Sequence, residues 1–146
     1  MICLTHNGNN CVADAAMDSL ETHGGLSPFG YQVIQEMNRL GMIVDVSHAS
    51  RKTCLQAVQA SKTPVMASHS GVYNLKKIPR NLTDEEIIAI ASRGGLIQIS
   101  IGRYFLSNLP KAEVGMEHLL EHINYVVDLV GIDHVGIGSD FDGGGG

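Results

Sequence analysis

The chain has 146 residues, of which 44% are hydrophobic and 17% are charged, and its formal net charge is −5 at pH 7. This composition is typical of one folded domain and excludes a disordered chain. The net negative charge argues against nucleic acid and against an anionic membrane surface as partners, and no apolar run reaches the ~18 residues of a membrane span.

The beginning of the chain predicts a short strand, a long loop and one helix. Residues 1–6 are expected to form a partial strand. Residues 7–25 are rich in Gly, Asn and small side chains, which indicates a long loop. Ser27 as the N-cap and Pro28 at the first helical position begin a helix that Gly41 ends. The apolar stripe predicted for this helix consists of Phe29, Val33, Ile34, Met37 and Leu40.

Two apolar runs that both end in Ser-His come next, with a helical segment between them. The first run covers residues 42–48 and ends at His48, the helix is expected from Arg51 to about Ala60, and the second run covers residues 64–69 and ends at His69. This order predicts a strand, a crossover helix and a parallel strand. Because such crossovers are right-handed, both strands end at the same rim of the sheet, about 4.8 Å apart. Two imidazoles there could share one metal ion at the roughly 2.0–2.1 Å of a zinc–nitrogen bond.

The rest of the chain repeats the alternation of helices and strands. Thr83 and Glu86 form a capping box for a helix that ends at the glycine pair 94–95. The remaining predicted elements are a strand over 96–101, a loop over 102–115, a helix from about residue 116, a strand over 134–140 and a glycine-rich tail over 141–146.

Alternating strands and helices indicate an α/β fold, a parallel sheet covered by helices. Two architectures compete: a doubly wound open sheet and part of a (β/α)8 TIM barrel. The barrel is favoured because polar residues follow the carboxyl ends of the strands, where barrel enzymes build their sites. These residues are His6, His48, His69 and Asp140. A full barrel takes about 250 residues, so we expect a partial one.

The candidate residues also have ordinary structural interpretations. A histidine after one strand is more often a hydrogen-bonded loop residue than a ligand, and only the pair of Ser-His ends makes the two readings equal. Asp140 could form a turn with Asp142, and Arg80 could be a solvated loop charge. Asp45 lies between two valines and is expected to be buried beside a structural partner. His122 is expected on the surface or in packing.

Seven short motifs, in chain order, resemble those of the membrane dipeptidase family, also called renal dipeptidases. They are LTHN (4–7), GLSPFG (25–30), EMNRLG (36–41), DVSH (45–48), ASHS (67–70), PRNL (79–82) and GSDFDG (138–143). The resemblance covers nearly the whole chain.

The resemblance implies a metal-dependent amidohydrolase-like barrel that holds two zinc ions in the complete enzyme and hydrolyses dipeptides with a metal-bridged water. It implies that His48 and His69 are ligands of one zinc ion. Asp140 would be a catalytic residue that holds or deprotonates the water. His6 would act in catalysis and substrate binding by hydrogen-bonding the scissile carbonyl. Arg80 would bind the free carboxylate of the substrate, which suits a guanidinium fork.

Two departures from the family pattern affect these expectations. A His-x-Asp pair and a bridging Glu of the family have no counterpart in this chain, which resembles strands four to eight of the barrel. Residues 1–146 are therefore expected to be the C-terminal portion of one barrel domain, to hold at most one zinc ion and to have weak or no activity alone. Residues 100–105 differ from the expected aromatic-Asn run, which leaves substrate preference open.

The sequence is also compatible with other functions. The chain could be a non-catalytic barrel fragment or pseudoenzyme module, or part of another barrel metallohydrolase such as a lactonase. We expect a cytoplasmic location and a homo-oligomer for the full-length protein. The isolated chain is expected to dimerise or aggregate, because a partial barrel exposes unpaired edge strands and an apolar inner face.

Overall fold

The computed structural model describes residues 1–143, which form five strands and five α-helices. The strands are β1 (Ile2–Cys3), β2 (Val44–Asp45), β3 (Met66–Ser70), β4 (Leu96–Ser100) and β5 (Val135–Gly138). The helices are α1 (Pro28–Arg39), α2 (Arg51–Ala60), α3 (Asp84–Ser92), α4 (Arg103–Leu106) and α5 (Met116–Val130), and 3₁₀ turns cover Lys111–Glu113, Ile132–His134 and Phe141–Gly143. The last three residues of the predicted glycine-rich tail lie outside the described residues. No helix within the described range is both long and apolar enough to cross a membrane.

All five strands are parallel and pair in the order β1-β2-β3-β4-β5. A doubly wound sheet requires a reversal of strand order, and the described strands show none. Every crossover therefore proceeds in the same direction around the sheet, as in a (β/α) barrel. The doubly wound alternative is wrong, and the carboxyl ends of all five strands lie at one rim.

The helices cover one face of the sheet. Ala67, Ile97 and Ile99 are fully buried beneath them, whereas the alternate residues Leu96 and Gln98 are only partly buried. This period of two assigns one side of each strand to the helix layer and the other to the concave side of the sheet. Each fully buried aliphatic side chain contributes about 1.5–3 kcal/mol to folding, so the helix layer carries the core.

The helix ends agree closely with the sequence prediction. The Ser27 hydroxyl accepts from the Gly30 N–H at 3.0 Å, and the Thr83–Glu86 capping box is present. The predicted stripe of α1 is too wide: Ile34 and Met37 are buried, but Phe29 is 52% exposed and Leu40 is 55% exposed. The reason is that α1 packs against α2 at the end of the helix row α1-α2-α3-α5, so one of its flanks faces solvent.

Asp14 organises the long loop between β1 and α1. Its buried carboxylate accepts from the backbone N–H groups of Thr22, His23 and Gly25 at 3.0–3.1 Å. Burial alone would raise the pKa of Asp14, but these N–H groups outweigh it and hold the pKa below its ordinary value. The Asp14 carbonyl also accepts from the Thr53 hydroxyl at 2.8 Å. The loop is thereby attached to the first turn of α2, although sequence reasoning assigned no role to Asp14.

Candidate functional site

Three histidines meet at the carboxyl rim of the sheet. The Nε2 atoms of His48 and His69 are 3.0 Å apart, and the ring centroids of His6 and His48 are 4.4 Å apart. The parallel βαβ unit thus brings the two Ser-His ends together, as the strand geometry predicts. His6 follows β1, the next strand in the sheet, and its ring is exposed.

Two of the rim residues have left-handed backbones. The φ angles of His48 and Asp140 are +66° and +52°, and no other described residue except glycine has a positive φ. Such backbone conformations cost about 1–3 kcal/mol and persist only where the surroundings impose them. At His48 the backbone is fixed by its carbonyl, which accepts from the Ala16 N–H of the long loop at 2.7 Å. The long loop therefore helps to set the direction of the His48 ring.

Asp45 lies beneath the histidine pair and is 2% exposed. Its carboxylate accepts from the backbone N–H groups of Ser47 and Ser68, both at 3.0 Å, and from the Ser68 hydroxyl at 2.5 Å. The same hydroxyl is 2.7 Å from Nδ1 of His69, whose backbone N–H donates to the Ser47 hydroxyl at 3.0 Å. The expectation of a buried Asp45 with structural partners is confirmed, but its connection to His69 was not visible in the sequence.

Burial favours the neutral form of both histidines of the pair. Burial, with smaller contributions from the charges of Arg80, His69 and His6, lowers the pKa of His48 to about 3. Burial and then Arg80 also lower the pKa of His69. A neutral imidazole keeps one nitrogen lone pair, which is the form that binds metal ions. Nδ1 of His48 is buried and has no hydrogen-bond partner among residues 1–143.

Arg80 is a buried cation at the edge of the same site. It is 5% exposed, its Nη2 donates to the His69 carbonyl at 3.1 Å, and its guanidinium lies 5.3 Å from the centre of the Phe105 ring. Burial lowers its pKa, and within the described range it forms no salt bridge. The alternative of a solvated loop charge is therefore wrong. A buried guanidinium with unused N–H donors is suited to bind an anion.

Asp140 follows β5 and shares one cavity with the histidines. The cavity has a volume of about 570 Å³ and is lined by Cys3, His6, Asn7, His48, His69, Tyr104, Phe105, Asp140, Asp142 and Gly143. The Asp140 carbonyl accepts from the Gly143 N–H at 3.1 Å, so the residue also begins a turn. Asp140 therefore both begins a turn and lines the cavity, so the two interpretations of this residue are compatible. Sequence reasoning missed Tyr104 and Phe105, because they lie on the short helix α4, whose position depends on tertiary contacts.

A basic pocket adjoins this cavity. It has a volume of about 370 Å³, and Tyr104 belongs to both. It is lined by Lys76, Arg103, Tyr104, Ser107, Asn108, Leu109 and Lys111. The segments 71–82 and 101–115, which follow β3 and β4, hold five of the ten Lys and Arg residues of the chain. Positive charge is therefore concentrated beside the cavity in an otherwise acidic chain.

The donor set fits part of a metal centre. The 3.0 Å between the two Nε2 atoms is close to the roughly 3.3 Å that separates two nitrogen ligands on a tetrahedral zinc ion. Cys3 is adjacent, but burial raises the pKa of its thiol to about 12, and the S–H donates to the Ser47 carbonyl at 2.8 Å. Within residues 1–143 no group of three or more His, Cys, Asp and Glu side chains could hold a metal ion. The residues present thus supply two coordination positions.

The sequentially wound parallel sheet, with its polar residues at the carboxyl rim, defines a protein of the (β/α)-barrel class. Residues 1–146 match the family model described as "Membrane dipeptidase (Peptidase family M19)". The chain therefore belongs to the membrane dipeptidase family, and the resemblance carried by its motifs is confirmed.

Curated relatives support the same family. The chain is 41% identical over 143 residues to the dipeptidase verJ of Clonostachys rogersoniana, covering 97% of this chain and 36% of the relative. It is 39% identical over 142 residues to the dipeptidase tcpJ of Claviceps purpurea, covering 97% of this chain and 33% of the relative. The chain thus spans about a third of the length of these relatives.

Solved structures confirm the partial barrel. The chain resembles the probable dipeptidase PvdM from Pseudomonas aeruginosa with a TM-score of 0.95 and 32% identity, covering all of this chain and 52% of that one. It also resembles a metallo peptidase from Rhodobacter sphaeroides that was solved with a phosphinate mimic of the dipeptide L-Ala-D-Ala. That match has a TM-score of 0.78 and 35% identity, and it covers 84% of this chain and 35% of the other.

Proposed function

We propose that this chain is part of a zinc-dependent dipeptidase. The observation that carries the proposal is the convergence of His48, His69 and Asp140 on one cavity, with the buried cation Arg80 in contact with two residues of its lining, His69 and Phe105. Membership in the membrane dipeptidase family supports this reading, and so does the likeness to a metallo peptidase solved with a dipeptide mimic. Dipeptides such as L-Ala-D-Ala are the substrate class to test.

The proposed roles follow from the chemistry of each group. His48 and His69 would hold one zinc ion through their Nε2 lone pairs. Bound there, zinc supplies a Lewis acid and lowers the pKa of water towards neutrality. Asp140 would accept the proton of the attacking water. His6 would donate a hydrogen bond to the oxygen of the scissile carbonyl, and Arg80 would bind the substrate carboxylate through its fork.

We propose that the chain alone has weak or no activity. Two histidines fill only part of the coordination of a catalytic zinc, which ordinarily has three protein ligands. A non-catalytic module is the second candidate, since the described residues assemble no group of three metal ligands. The cytoplasmic location and the oligomeric state of the full-length protein stay predictions.

Zinc binding by the purified chain tests the proposal. We expect about one zinc per chain after chelation and reconstitution, measured by elemental analysis, and loss of this zinc in His48→Ala. His23→Ala is the matched control, because His23 lies in the long loop and its ring contacts the Asn10 carbonyl. Zinc that is absent from the wild type, or unchanged in His48→Ala, would contradict the ligand assignment. Release of alanine from L-Ala-D-Ala by the zinc-loaded chain measures any residual activity.

A further inference from the structure

A chain of hydrogen bonds connects Asp45 to the ring of His69. The Asp45 carboxylate faces three donors: the N–H groups of Ser47 and Ser68 on Oδ1 and the Ser68 hydroxyl on Oδ2. A carboxylate only accepts hydrogen bonds. The Ser68 hydroxyl has a single proton, and the contact with Asp45 at 2.5 Å uses it. The other possible acceptors of that proton are Nδ1 of His69 at 2.7 Å and the Ser47 hydroxyl at 3.4 Å. The carboxylate is both the nearest acceptor and the only charged one, and hydrogen bonds to charged acceptors are the stronger ones, so we assign the proton to Asp45.

The direction of the next hydrogen bond follows from this assignment. Since the Ser68 proton points to Asp45, the Ser68 oxygen must accept at its 2.7 Å contact with Nδ1 of His69. Nδ1 of His69 therefore carries the ring proton, and Nε2 keeps the lone pair. At the 3.0 Å contact between the rings, the Nε2–H of His48 then donates to the lone pair of His69.

We propose that Asp45, acting through Ser68, is a positioning residue that fixes His69 in the Nδ1–H tautomer and directs its Nε2 lone pair into the cavity. The Ser47 hydroxyl supports the same geometry, because it accepts from the backbone N–H of His69 at 3.0 Å. His48 is different, since its Nδ1 has no partner among the described residues. The two histidines are thus prepared unequally for a ligand: Nε2 of His69 already presents a lone pair, whereas His48 would have to move its proton from Nε2 to Nδ1 before its Nε2 could bind zinc.

The consequence for metal binding rests on the proposed function. A hydrogen bond on the second ring nitrogen fixes the tautomer and orientation of a histidine ligand, and losing such support typically costs 10–100-fold in metal affinity. The tautomer itself is independent of any metal.

The test measures the His69 tautomer by long-range ¹⁵N–¹H correlation spectra of the chelated, uniformly labelled chain at pH 7.5. We expect the proton on Nδ1 in the wild type. In Asp45→Asn the amide NH2 can donate to the Ser68 oxygen, which turns the hydroxyl proton towards His69. The ring proton should then move to Nε2. A wild-type His69 with its proton on Nε2, or an unchanged Nδ1–H tautomer in Asp45→Asn, would overturn the proposal.

Ser68→Ala provides a second variant in case Asp45→Asn fails to fold. It removes the acceptor of the Nδ1–H group, so we expect a mixture of tautomers. If His69 in Ser68→Ala still carried its proton entirely on Nδ1, this result would contradict the proposed hydrogen-bond chain from Asp45 through Ser68 to His69. Ser70→Ala is the matched control: Ser70 is two residues further along β3, and its buried hydroxyl has no partner within the described part of the chain. This control should leave the tautomer unchanged.

Zinc affinity, measured by competition with a chromophoric chelator, is the second readout. We expect Asp45→Asn and Ser68→Ala to raise the dissociation constant 10–100-fold and Ser70→Ala to leave it unchanged. Equal zinc affinity in all variants would contradict the proposed effect of this hydrogen-bond chain on metal binding. If the wild type binds no zinc, the proposed function fails. The tautomer measurement then still decides whether the hydrogen-bond chain from Asp45 to His69 fixes the His69 ring.

Discussion

At the scale of single residues, His122 shows how a histidine can serve packing instead of chemistry. It is fully buried, its Nδ1 accepts from the Val72 N–H at 2.9 Å, and its Nε2–H donates to the Leu106 carbonyl at 3.0 Å. The ring thus joins α5 to the loop after β3 and to the end of α4. The sequence left surface and packing roles open for His122, and the structure assigns it to packing.

This environment predicts a pH dependence of stability. Burial lowers the pKa of His122 in the folded protein. The contribution of this ring to the free energy of unfolding is therefore complete above the unfolded pKa of about 6.5, and it is lost as the pH falls towards the pKa of the folded protein. Protonation would also direct a second N–H against the N–H of Val72. We expect the free energy of unfolding to fall between pH 7.5 and 5, and to fall less in His122→Gln, which can keep both hydrogen bonds. Urea titrations at each pH measure the free energy of unfolding. An equal decrease between pH 7.5 and 5 in the wild type and in His122→Gln would contradict the prediction.

At the scale of elements, the sequence predicted helices better than strands or loops. Helix ends depend on local signals such as Ser27, Pro28 and the Thr83–Glu86 box, so α1, α2, α3 and α5 begin where expected. Residues 42–48 were predicted to be a strand, but β2 covers only Val44–Asp45 because the chain turns at the left-handed His48. The helix α4 was predicted as loop, since a four-residue helix has almost no periodic signal.

The candidate site shows the same division. Its histidines and Asp140 could be predicted because each follows a strand, and parallel strands bring their ends to one rim. The contacts of Asp45 with Ser68, and of Arg80 with Phe105, join segments 23 and 25 residues apart. No local pattern encodes such contacts, because they form only when the loops have packed.

The long loop between β1 and α1 behaves as an element because of Asp14. Removing its carboxylate in Asp14→Ala would leave three inward-facing N–H groups unpaired, at Thr22, His23 and Gly25. We expect a loss of about 1–3 kcal/mol in the free energy of unfolding, measured by urea titration. Asp18→Ala is the control in the same loop and should cost less, because Asp18 is only half-buried and accepts from two backbone N–H groups, those of Asn9 and Leu20, instead of three. Equal losses in the two variants would show that Asp14 is not the anchor of this loop.

At the scale of the whole molecule, the sheet is open on both sides. Neither β1 nor β5 has a second strand partner among residues 1–143, and Ile137 on β5 is 60% exposed. Unpaired parallel edges and exposed aliphatic side chains favour association. We expect the isolated chain to exceed its monomer mass of 15.6 kDa in light scattering after size exclusion. A monomer throughout the micromolar range would contradict this expectation.

The two open edges also restrict the symmetry of any such assembly. With the helix layers on the same face, the β1 edge of one copy can continue the parallel sheet only at the β5 edge of another, so the contact is heterologous, with two different surfaces meeting. If the sheet curves enough, two copies satisfy both contacts around a two-fold axis along the strands and close into a ring. If it curves less, each added copy leaves an edge free and growth continues. A closed dimer keeps the same mass as the protein concentration rises. An assembly that does not close becomes heavier each time the concentration is raised.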